Sequence, residues 1–293
     1  MGYAYDEQTT AALLRQIISR HISEKAAQWV QDRLTAWQQQ QALSVFNMAF
    51  AAAPRFIGRE PVTATIAESP VLPVDLEGYT ADRLFRIWWL LQLPVDDKKK
   101  YIEIIENLFN TAEMNELVAL YGALPLLAFP EAWQLRTAEG IRSNIGGVLE
   151  AIMLHNPYPA ANLDQPAWNQ LVIKAFFTEK PVHLIAGLDR RANPELARIL
   201  LDYSHERRAA GRPVHPMLWR LVGPFLEEMG LEDIERLWLS EYNAEREAAA
   251  LACHASGYGP ARELLEKRPE LKAEIEAGQL TWETVAHRVN MAN

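Results

Sequence analysis

The sequence predicts an all-α protein of stacked antiparallel helix pairs, an arrangement like HEAT repeats or another α-α superhelix. Apolar residues recur at spacings of three and four along most of the chain, which is the period of a helix with one buried face. Short connections with recognisable capping residues separate these segments, and no segment alternates as a strand would. Because 49% of the 293 residues are apolar, the chain can bury a sizeable core.

We expect one helical domain over residues 1–293. An alternative division separates an N-terminal helical part at 1–112, which contains an excursion at 57–79, from a helical-repeat part at 113–293. No Gly/Ser linker marks a boundary, and no strict repeat period runs through the whole chain. A regular solenoid is therefore not predicted.

The N-terminal part begins with two helical patterns and a proline-rich stretch. The first pattern covers Glu7–Gln41, with apolar residues from Leu13 to Trp37 on one face. A second helix is predicted at Leu43–Phe56. Three prolines then fall within Gly58–Gly78, and prolines at that density break helices. We predict an ordered excursion across the surface there, which either serves a function or acts as a simple connector.

Capping residues indicate where several later helices begin and end. Asp96 and Asp97 resemble a metal-binding pair, but an N-cap and a solvated first turn explain them better. Asn193 before Pro194 is a cap followed by a first-turn proline, and Gly211 stops the same helix. Helices are predicted at Thr80–Leu93, Asp96–Phe109, Glu113–Leu120, Glu131–Leu154, Gln165–Phe177, Pro194–Ala210, His215–Met229, Leu231–Ser240, Ala244–Ala255, Pro260–Lys267, Leu271–Ala277 and Trp282–Asn290.

Composition excludes several classes of partner. The net charge of −9 argues against a general nucleic-acid or anionic-membrane surface. No apolar run reaches the roughly 18 residues that span a bilayer, so no membrane insertion is expected. The N-terminus lacks the basic-then-apolar order of a signal peptide. Cys253 is the single cysteine, which excludes a disulfide within the chain, so we expect a cytoplasmic protein with a buried, inert thiol.

The helix at Gln165–Phe177 carries the first candidate binding residues. It is apolar nearly all round and is therefore expected to be buried. Lys174 is the only charged residue between Trp168 and Phe177, and a buried ammonium group needs a partner. Either this ammonium contacts an anionic ligand, with Trp168 and Asn169 beside it, or it extends to solvent or pairs with a carboxylate.

Two adjacent arginines lie just before the next helix. Arg190 and Arg191 suit a phosphate or carboxylate, because a guanidinium group matches those anions and a helix N-terminus adds positive potential. The alternative is that Asp189 and Glu195 pair with both arginines and fix the loop. From residue 134 to 220 the sequence has 11 Lys+Arg and 8 Asp+Glu, a local net charge of +3 in an acidic chain.

Polar residues around residues 142–158 extend the candidate site. Arg142 and Asn144 precede a pair of glycines that permits close approach of a ligand or of another backbone. His155 and Asn156 lead into two prolines that either aim Tyr158 at a ligand or form a rigid turn around a packed tyrosine.

Histidines give little support for catalysis or metal binding. No histidine has the spacing of a metal site, so no metal is expected. His155 or His183 is instead a candidate general base, because histidine titrates near neutral pH. The chain has no Gly-rich phosphate loop, no Gly-x-Ser-x-Gly elbow and no Asp-rich diphosphate box, which argues against common kinases, hydrolases and terpene synthases. No cofactor is expected.

Several blocks of this region resemble, in order, recurring blocks of the EboA family. They are Arg142-Ser143-Asn144, Asn156-Pro157-Tyr158-Pro159, Trp168-Asn169-Gln170 with Lys174, Leu188–Leu196 and Glu206–Val214. The resemblance is specific from about Tyr121 onward and much weaker before Leu120. It implies a helical cytoplasmic protein that is encoded with a prenyltransferase and sugar-phosphate-type enzymes. That gene group is linked to moving a secondary-metabolite precursor toward the periplasm, and the resemblance assigns no catalytic residue.

The residues and the resemblance together favour a binding or adaptor protein of secondary metabolism that holds an anionic or prenylated precursor. The candidate ligand-binding residues are Arg142, Asn144, His155, Asn156, Tyr158, Trp168, Asn169, Lys174, His183, Asp189, Arg190, Arg191 and Trp219. One alternative is a transferase or lyase acting on that metabolite, and another is a helical-repeat scaffold that docks partner enzymes. The expected partners are the metabolite and a membrane prenyltransferase or other enzymes of the same gene cluster.

Overall fold

A computed structural model describes Tyr3 and residues 5–65 and 68–292. The described chain contains 17 α-helices joined by 3-10 turns and loops, and its β-structure is confined to isolated bridge residues. The predicted all-α class is confirmed. The chain divides into two compact units, Met1–Ala167 and Trp168–Asn293. The superhelical stacking and the domain limits expected from the sequence stay predictions.

Nine helices lie within the described residues of the first unit. They are α1 (Glu7–Arg20), α2 (Glu24–Gln40), α3 (Leu43–Phe56), α4 (Ala81–Leu90), α5 (Lys98–Thr111), α6 (Met114–Gly122), α7 (Gln134–Arg142), α8 (Gly146–Met153) and α9 (Tyr158–Asn162). The remaining helices are α10 (Gln165–Phe177), which contains the unit boundary, and, in the second unit, α11 (Pro194–Ala209), α12 (Trp219–Val222), α13 (Glu228–Trp238), α14 (Asn243–Ala255), α15 (Gly259–Glu266), α16 (Pro269–Glu276) and α17 (Trp282–Ala292).

Helix α4 is the centre of the first unit. It packs against α1, α3 and α6, and nearly all its side chains are buried. The ring of Trp89 stacks on that of Phe46 in α3 with centroids 5.4 Å apart, and its indole N–H donates to the Phe46 carbonyl oxygen at 3.1 Å. Large aromatic side chains bury much area, so this cluster stabilises the contact between α3 and α4.

The same helix carries a buried ion pair. The Arg86 side chain is 1% exposed and lies 3.5 Å from the Asp82 carboxylate one turn earlier. The Arg86 guanidinium also donates to the Phe50 carbonyl oxygen at 2.9 Å, and the Thr80 hydroxyl donates to Asp82 at 2.6 Å. These bonds offset part of the cost of burying the two charged groups, and the bond to Phe50 ties α4 to α3.

Helix α14 is the centre of the second unit. It contacts α12, α13, α15, α16 and α17, and its alanine-rich stretch at residues 248–252 is buried. Gly223, in the turn after α12, runs so close to α14 that a Cβ atom on it would lie 2.7 Å from the Cα atom of Ala252. Small residues on both segments are therefore required for this approach of two backbones.

The excursion predicted at Gly58–Gly78 is ordered where it is described. Pro61 and Thr80 form an antiparallel bridge that closes its base, and Leu76 is buried. Residues 66–67 lie outside the described residues.

The predicted helix caps are confirmed. The Asp97 carboxylate accepts the backbone N–H of Lys100 at 3.0 Å, which makes Asp97 the N-cap of α5. The Asn193 side chain accepts the backbone N–H of Leu196 at 3.0 Å at the start of α11. Gly211, with a φ of 65°, follows the end of that helix in the left-handed conformation typical of glycine.

Three predicted helices were wrong in their extent. The helix expected at Glu7–Gln41 is two helices, because Ser23 caps α2 after a break. The helix expected at Glu131–Leu154 is α7 and α8, separated by extended backbone at residues 143–145. The segment His215–Met229 forms short 3-10 turns around α12, because two prolines remove backbone donors there. Helix α9 was not predicted.

Candidate functional site

The candidate residues of the first unit differ in accessibility. Arg142 is the last residue of α7, Asn144 follows in the connection to α8, and both are exposed. Asn156 and Tyr158 are buried, with 5% and 2% of their surfaces exposed.

Asn156 and Tyr158 make their hydrogen bonds within the fold. The Asn156 amide donates to the carbonyl oxygens of Tyr121 (3.1 Å) and Ala151 (2.8 Å), and its side-chain oxygen accepts the Tyr158 backbone N–H at 3.0 Å. The Tyr158 hydroxyl donates to the Pro130 carbonyl oxygen at 2.6 Å, and burial raises the pKa of this phenol. These side chains hold the turn between α8 and α9.

His155 lies between two carboxylates of the excursion. Its Nδ1 atom is 2.7 Å from Asp75 Oδ2, and its Nε2 atom is 3.6 Å from Glu77 Oε2. The three side chains offer ligand atoms within 4.8 Å of one another, so they could hold a metal ion. Sequence spacing could not reveal this group, because about 80 residues separate His155 from the two carboxylates.

The loop before α11 organises the candidate residues of the second unit. Asn169 of α10 is 3% exposed, and its side-chain oxygen accepts the Asn193 amide at 2.9 Å. The Asn169 amide lies 3.3 Å from Glu195 Oε2. Asn193 therefore both caps α11 and fixes the loop to α10.

The charged residues of that loop have separate environments. The Asp189 carboxylate accepts two hydrogen bonds from the Arg220 guanidinium, at 2.6 and 2.7 Å. The Arg191 guanidinium lies 5.1 Å from the ring centroid of Trp168. Arg190 is exposed, and its guanidinium makes no hydrogen bond or ion pair within the described part of the chain. Among these arginines, Arg190 is the cation most available to a ligand.

Buried N–H donors lie on Trp168 and Arg220, which contact this loop, and on Trp219, which precedes Arg220 in sequence. The indole nitrogens of Trp168 and Trp219 belong to side chains with no exposed surface, and no described residue accepts their hydrogen bonds. The Nη1 atom of Arg220 is also buried and has no hydrogen-bond acceptor among the described residues. Unpaired buried donors are uncommon and are often met by water or a ligand.

Lys174 and His183 are half-buried and both take part in contacts within the chain. The Lys174 backbone carbonyl oxygen accepts the Thr178 hydroxyl at 2.7 Å near the end of α10. His183 lies in the 3-10 turn Val182–Leu184. Burial lowers the pKa of His215, and the charge that His183 can carry lowers it further.

A cavity of about 590 Å³ in the second unit was not predicted. One wall is a single face of α11, formed by Pro194, Ala197, Arg198 and Leu201. Opposite walls come from Val222 and residues 224–227, and from residues 257–258. None of the thirteen candidate binding residues lines this cavity. Its only sequence signal was the helical spacing of three and four along α11, which is also the pattern of an ordinary core face.

A polar recess of about 420 Å³ lies between α11 and α13. The Asp233 carboxylate, 4% exposed, accepts from His205 Nε2 at 2.8 Å and pairs with Arg208. Arg236 and Glu232 at its edge pair with each other at 2.5 Å. The cations of this recess are therefore already balanced by carboxylates.

Comparison with protein families shows which family the chain belongs to. A family described as "Metabolite traffic protein EboA" matches residues 10–223, which is more than half of the sequence. The chain belongs to the EboA family. The predicted family is thus confirmed, and the match begins more than 100 residues earlier than the resemblance seen in the sequence. Comparisons with curated proteins and with solved structures found no match.

Only part of the cavity lining lies within the residues that match the EboA family. All thirteen candidate residues and the α11 wall lie inside the matched range, whereas residues 224–230 and 257–258 lie beyond it. The family description makes this a metabolite traffic protein, which fits a metabolite as its partner. In the described parts of the chain, every helix is too short or too polar to cross a bilayer.

Proposed function

We propose that this EboA protein serves metabolite traffic by holding a precursor in the 590 Å³ cavity of its second unit. The single observation that carries the proposal is this cavity, whose volume lies within the roughly 300–1,000 Å³ of small-molecule sites. Its lining is mainly apolar, with three polar side chains, Arg198, Glu227 and Tyr258, and a mainly apolar lining with few polar groups is usual for a ligand site.

Two arginines favour an anionic group on the ligand. Arg198 lines the cavity with 69% of its side chain exposed, and its pairing with Asp202, at 3.8 Å, is long. The exposed Arg190 is four residues before Pro194 in sequence, so at most about 14 Å separates their Cα atoms. A ligand with its apolar part in the cavity can direct a phosphate or carboxylate toward these guanidinium groups. An anionic, prenylated precursor has both parts.

The other candidate residues of the second unit act in this proposal by positioning the loop. Asn169 holds Asn193, Trp168 stacks on Arg191, and Arg220 holds Asp189. Each contact restricts the segment that carries Arg190. Fixing a binding segment in advance reduces the entropy that binding would otherwise cost.

A binding experiment with matched ligands tests the proposal. Equilibrium binding of farnesyl phosphate is compared with that of farnesol and of inorganic phosphate. We expect farnesyl phosphate to bind more tightly than either, because only it engages both the cavity and the arginines. Equal binding of farnesol and farnesyl phosphate would remove the anionic part of the proposal, and no binding of any prenyl compound would remove its prenylated part.

Substitutions then locate the site. Ala197→Phe fills the cavity and should weaken farnesyl phosphate binding at least tenfold, whereas Ala273→Phe, on the exposed side of α16, should not. Arg190→Ala and Arg198→Ala should weaken it less than that, with the exposed Arg212→Ala as control.

The same samples address the two alternative functions. A transferase or lyase would convert the precursor, which mass spectrometry of the incubated ligand would reveal. A scaffold would bind partner enzymes without the ligand.

We propose that the bound precursor passes to a membrane prenyltransferase or to another enzyme of the gene cluster. We place this transfer in the cytoplasm, because the single free thiol at Cys253 is compatible with reducing conditions.

A further inference from the structure

The group His155, Asp75 and Glu77 in the first unit has an unusual arrangement of acceptors. Nδ1 of His155 lies 2.7 Å from Asp75 Oδ2, a distance at which this nitrogen can donate a hydrogen bond to the carboxylate. In the neutral ring the other nitrogen, Nε2, then presents a lone pair. The Glu77 Oε2 atom lies 3.6 Å from Nε2. A cation that lies between this lone pair and the carboxylate can be held by both.

The geometry points to a divalent transition-metal site, of the kind that binds Zn²⁺, with His155 Nε2 and Glu77 as its protein ligands. Bonds of about 2.1 Å at a tetrahedral angle place two Zn²⁺ ligands about 3.4 Å apart. The observed separation of 3.6 Å between Nε2 and Glu77 Oε2 is close to that value. Imidazole and carboxylate are both ligand types that Zn²⁺ accepts.

Asp75 orients the histidine in this site. A ligating histidine usually donates its second N–H to a carboxylate, which fixes the tautomer and raises the basicity of the ligating nitrogen. Asp75 occupies that position on Nδ1. The arrangement therefore supplies both a ligand and the partner that prepares it, which a surface cluster of carboxylates alone would not.

Accessibility fits an open site. The His155 side chain is 18% exposed, that of Asp75 is 49% exposed and that of Glu77 is 72% exposed. Water can therefore complete the coordination, and the ion can enter from solvent. Bound metal would link the excursion, which carries both carboxylates, to the turn that carries His155. This site is separate from the metabolite cavity, and neither proposal depends on the other.

Calorimetric titration of the metal-free protein with Zn²⁺ tests the site. We expect one Zn²⁺ per chain and, with Zn²⁺ at a hundredfold excess over its Kd, a rise in Tm of about 5 °C. Glu77→Gln removes a charged ligand and should weaken binding at least tenfold. His155→Asn removes the ligating nitrogen and should do the same. Asparagine is chosen because His155 has a φ of 53°, a conformation that asparagine tolerates. Asp75→Asn should weaken binding by about 10- to 100-fold.

Two controls separate this site from general surface binding. Glu60→Gln changes an exposed glutamate of the same excursion, and His254→Asn changes an exposed histidine of the second unit. Both should bind Zn²⁺ as the unchanged protein does. Absence of Zn²⁺ binding at 100 μM, or binding that survives His155→Asn and Glu77→Gln, would overturn the proposal. A Tm that Zn²⁺ does not raise would also overturn it.

Discussion

Asn193 is the residue on which the loop before α11 depends most. Its side-chain oxygen caps the helix by accepting the Leu196 N–H at 3.0 Å, and its amide donates to buried Asn169 at 2.9 Å. Asn193→Ala removes both bonds, and with them the bond from the Asn193 amide to the Arg191 carbonyl oxygen at 3.1 Å. Loss of an N-cap costs about 1 kcal/mol. Leaving the side-chain oxygen of Asn169 without its donor costs about 1–3 kcal/mol more, because Asn169 is only 3% exposed.

We therefore expect Asn193→Ala to lower the free energy of unfolding by about 2–4 kcal/mol. Asn193→Ser keeps the cap and loses the amide bonds to Asn169 and to the Arg191 carbonyl oxygen, so it should cost about 1–3 kcal/mol. Ser23→Ala removes a cap alone, at the start of α2, and should cost about 1 kcal/mol.

Urea denaturation followed by circular dichroism measures all three variants. The reasoning is refuted if Asn193→Ala costs no more than Ser23→Ala, because the bond to Asn169 would then contribute nothing. It is also refuted if Asn193→Ser is as damaging as Asn193→Ala, because the cap would then have no separate value.

Three further predictions concern buried titratable groups. Asp82→Asn removes the nearer of two carboxylates beside the buried Arg86 guanidinium, with Glu116 remaining at 3.8 Å, and should cost about 3 kcal/mol in urea denaturation. A cost below about 1 kcal/mol would contradict the role of this pair. Burial raises the pKa of the Cys253 thiol from 9.0 to about 12, so the stabilisation of the native protein relative to Cys253→Ala should fall as pH rises from 9 to 12, measured by thermal unfolding. A difference that is constant over this pH range would count against it. Burial lowers the pKa of His215, whose Nδ1 atom accepts the Met217 N–H at 3.2 Å, so its contribution is complete above pH 6.5 and is lost as pH falls below that. Thermal unfolding of His215→Asn, which can keep this acceptor, should be less sensitive to pH between 7 and 5 than that of the unchanged protein, and an identical sensitivity would contradict this assignment.

Much of the fold could be predicted because helical sequence signals are local. Periodic apolar residues and the caps at Asp97 and Asn193 placed most helices within a few residues. The predictions were wrong where apolar periodicity continued across a break. Ser143 and its neighbours separate α7 from α8, but the apolar residues on both sides had the spacing of one helix. Periodicity reports which side chains are buried, not whether the backbone bends between them.

The candidate site was harder to predict, because it depends on contacts distant in sequence. The charged loop at residues 189–191 was found because three charges precede a capped helix. The sequence could not show that Arg190 is exposed while Asp189 pairs with Arg220, because the Asp189–Arg220 contact joins residues 31 apart in the chain. The cavity was missed because its walls come from three separate segments, each of which reads locally as core or turn. The position of His155 between two carboxylates of the excursion had no signal in spacing at all.

Native mass spectrometry of the protein purified from its own host tests the central claim most directly. The cavity account predicts a discrete small molecule bound to the unchanged protein and to Ala273→Phe, and absent from Ala197→Phe. Its mass and fragmentation would give its chemical class, and loss from Arg190→Ala would add an anionic group. Retention of the same molecule by Ala197→Phe would contradict the account, as would unchanged protein that carries no small molecule.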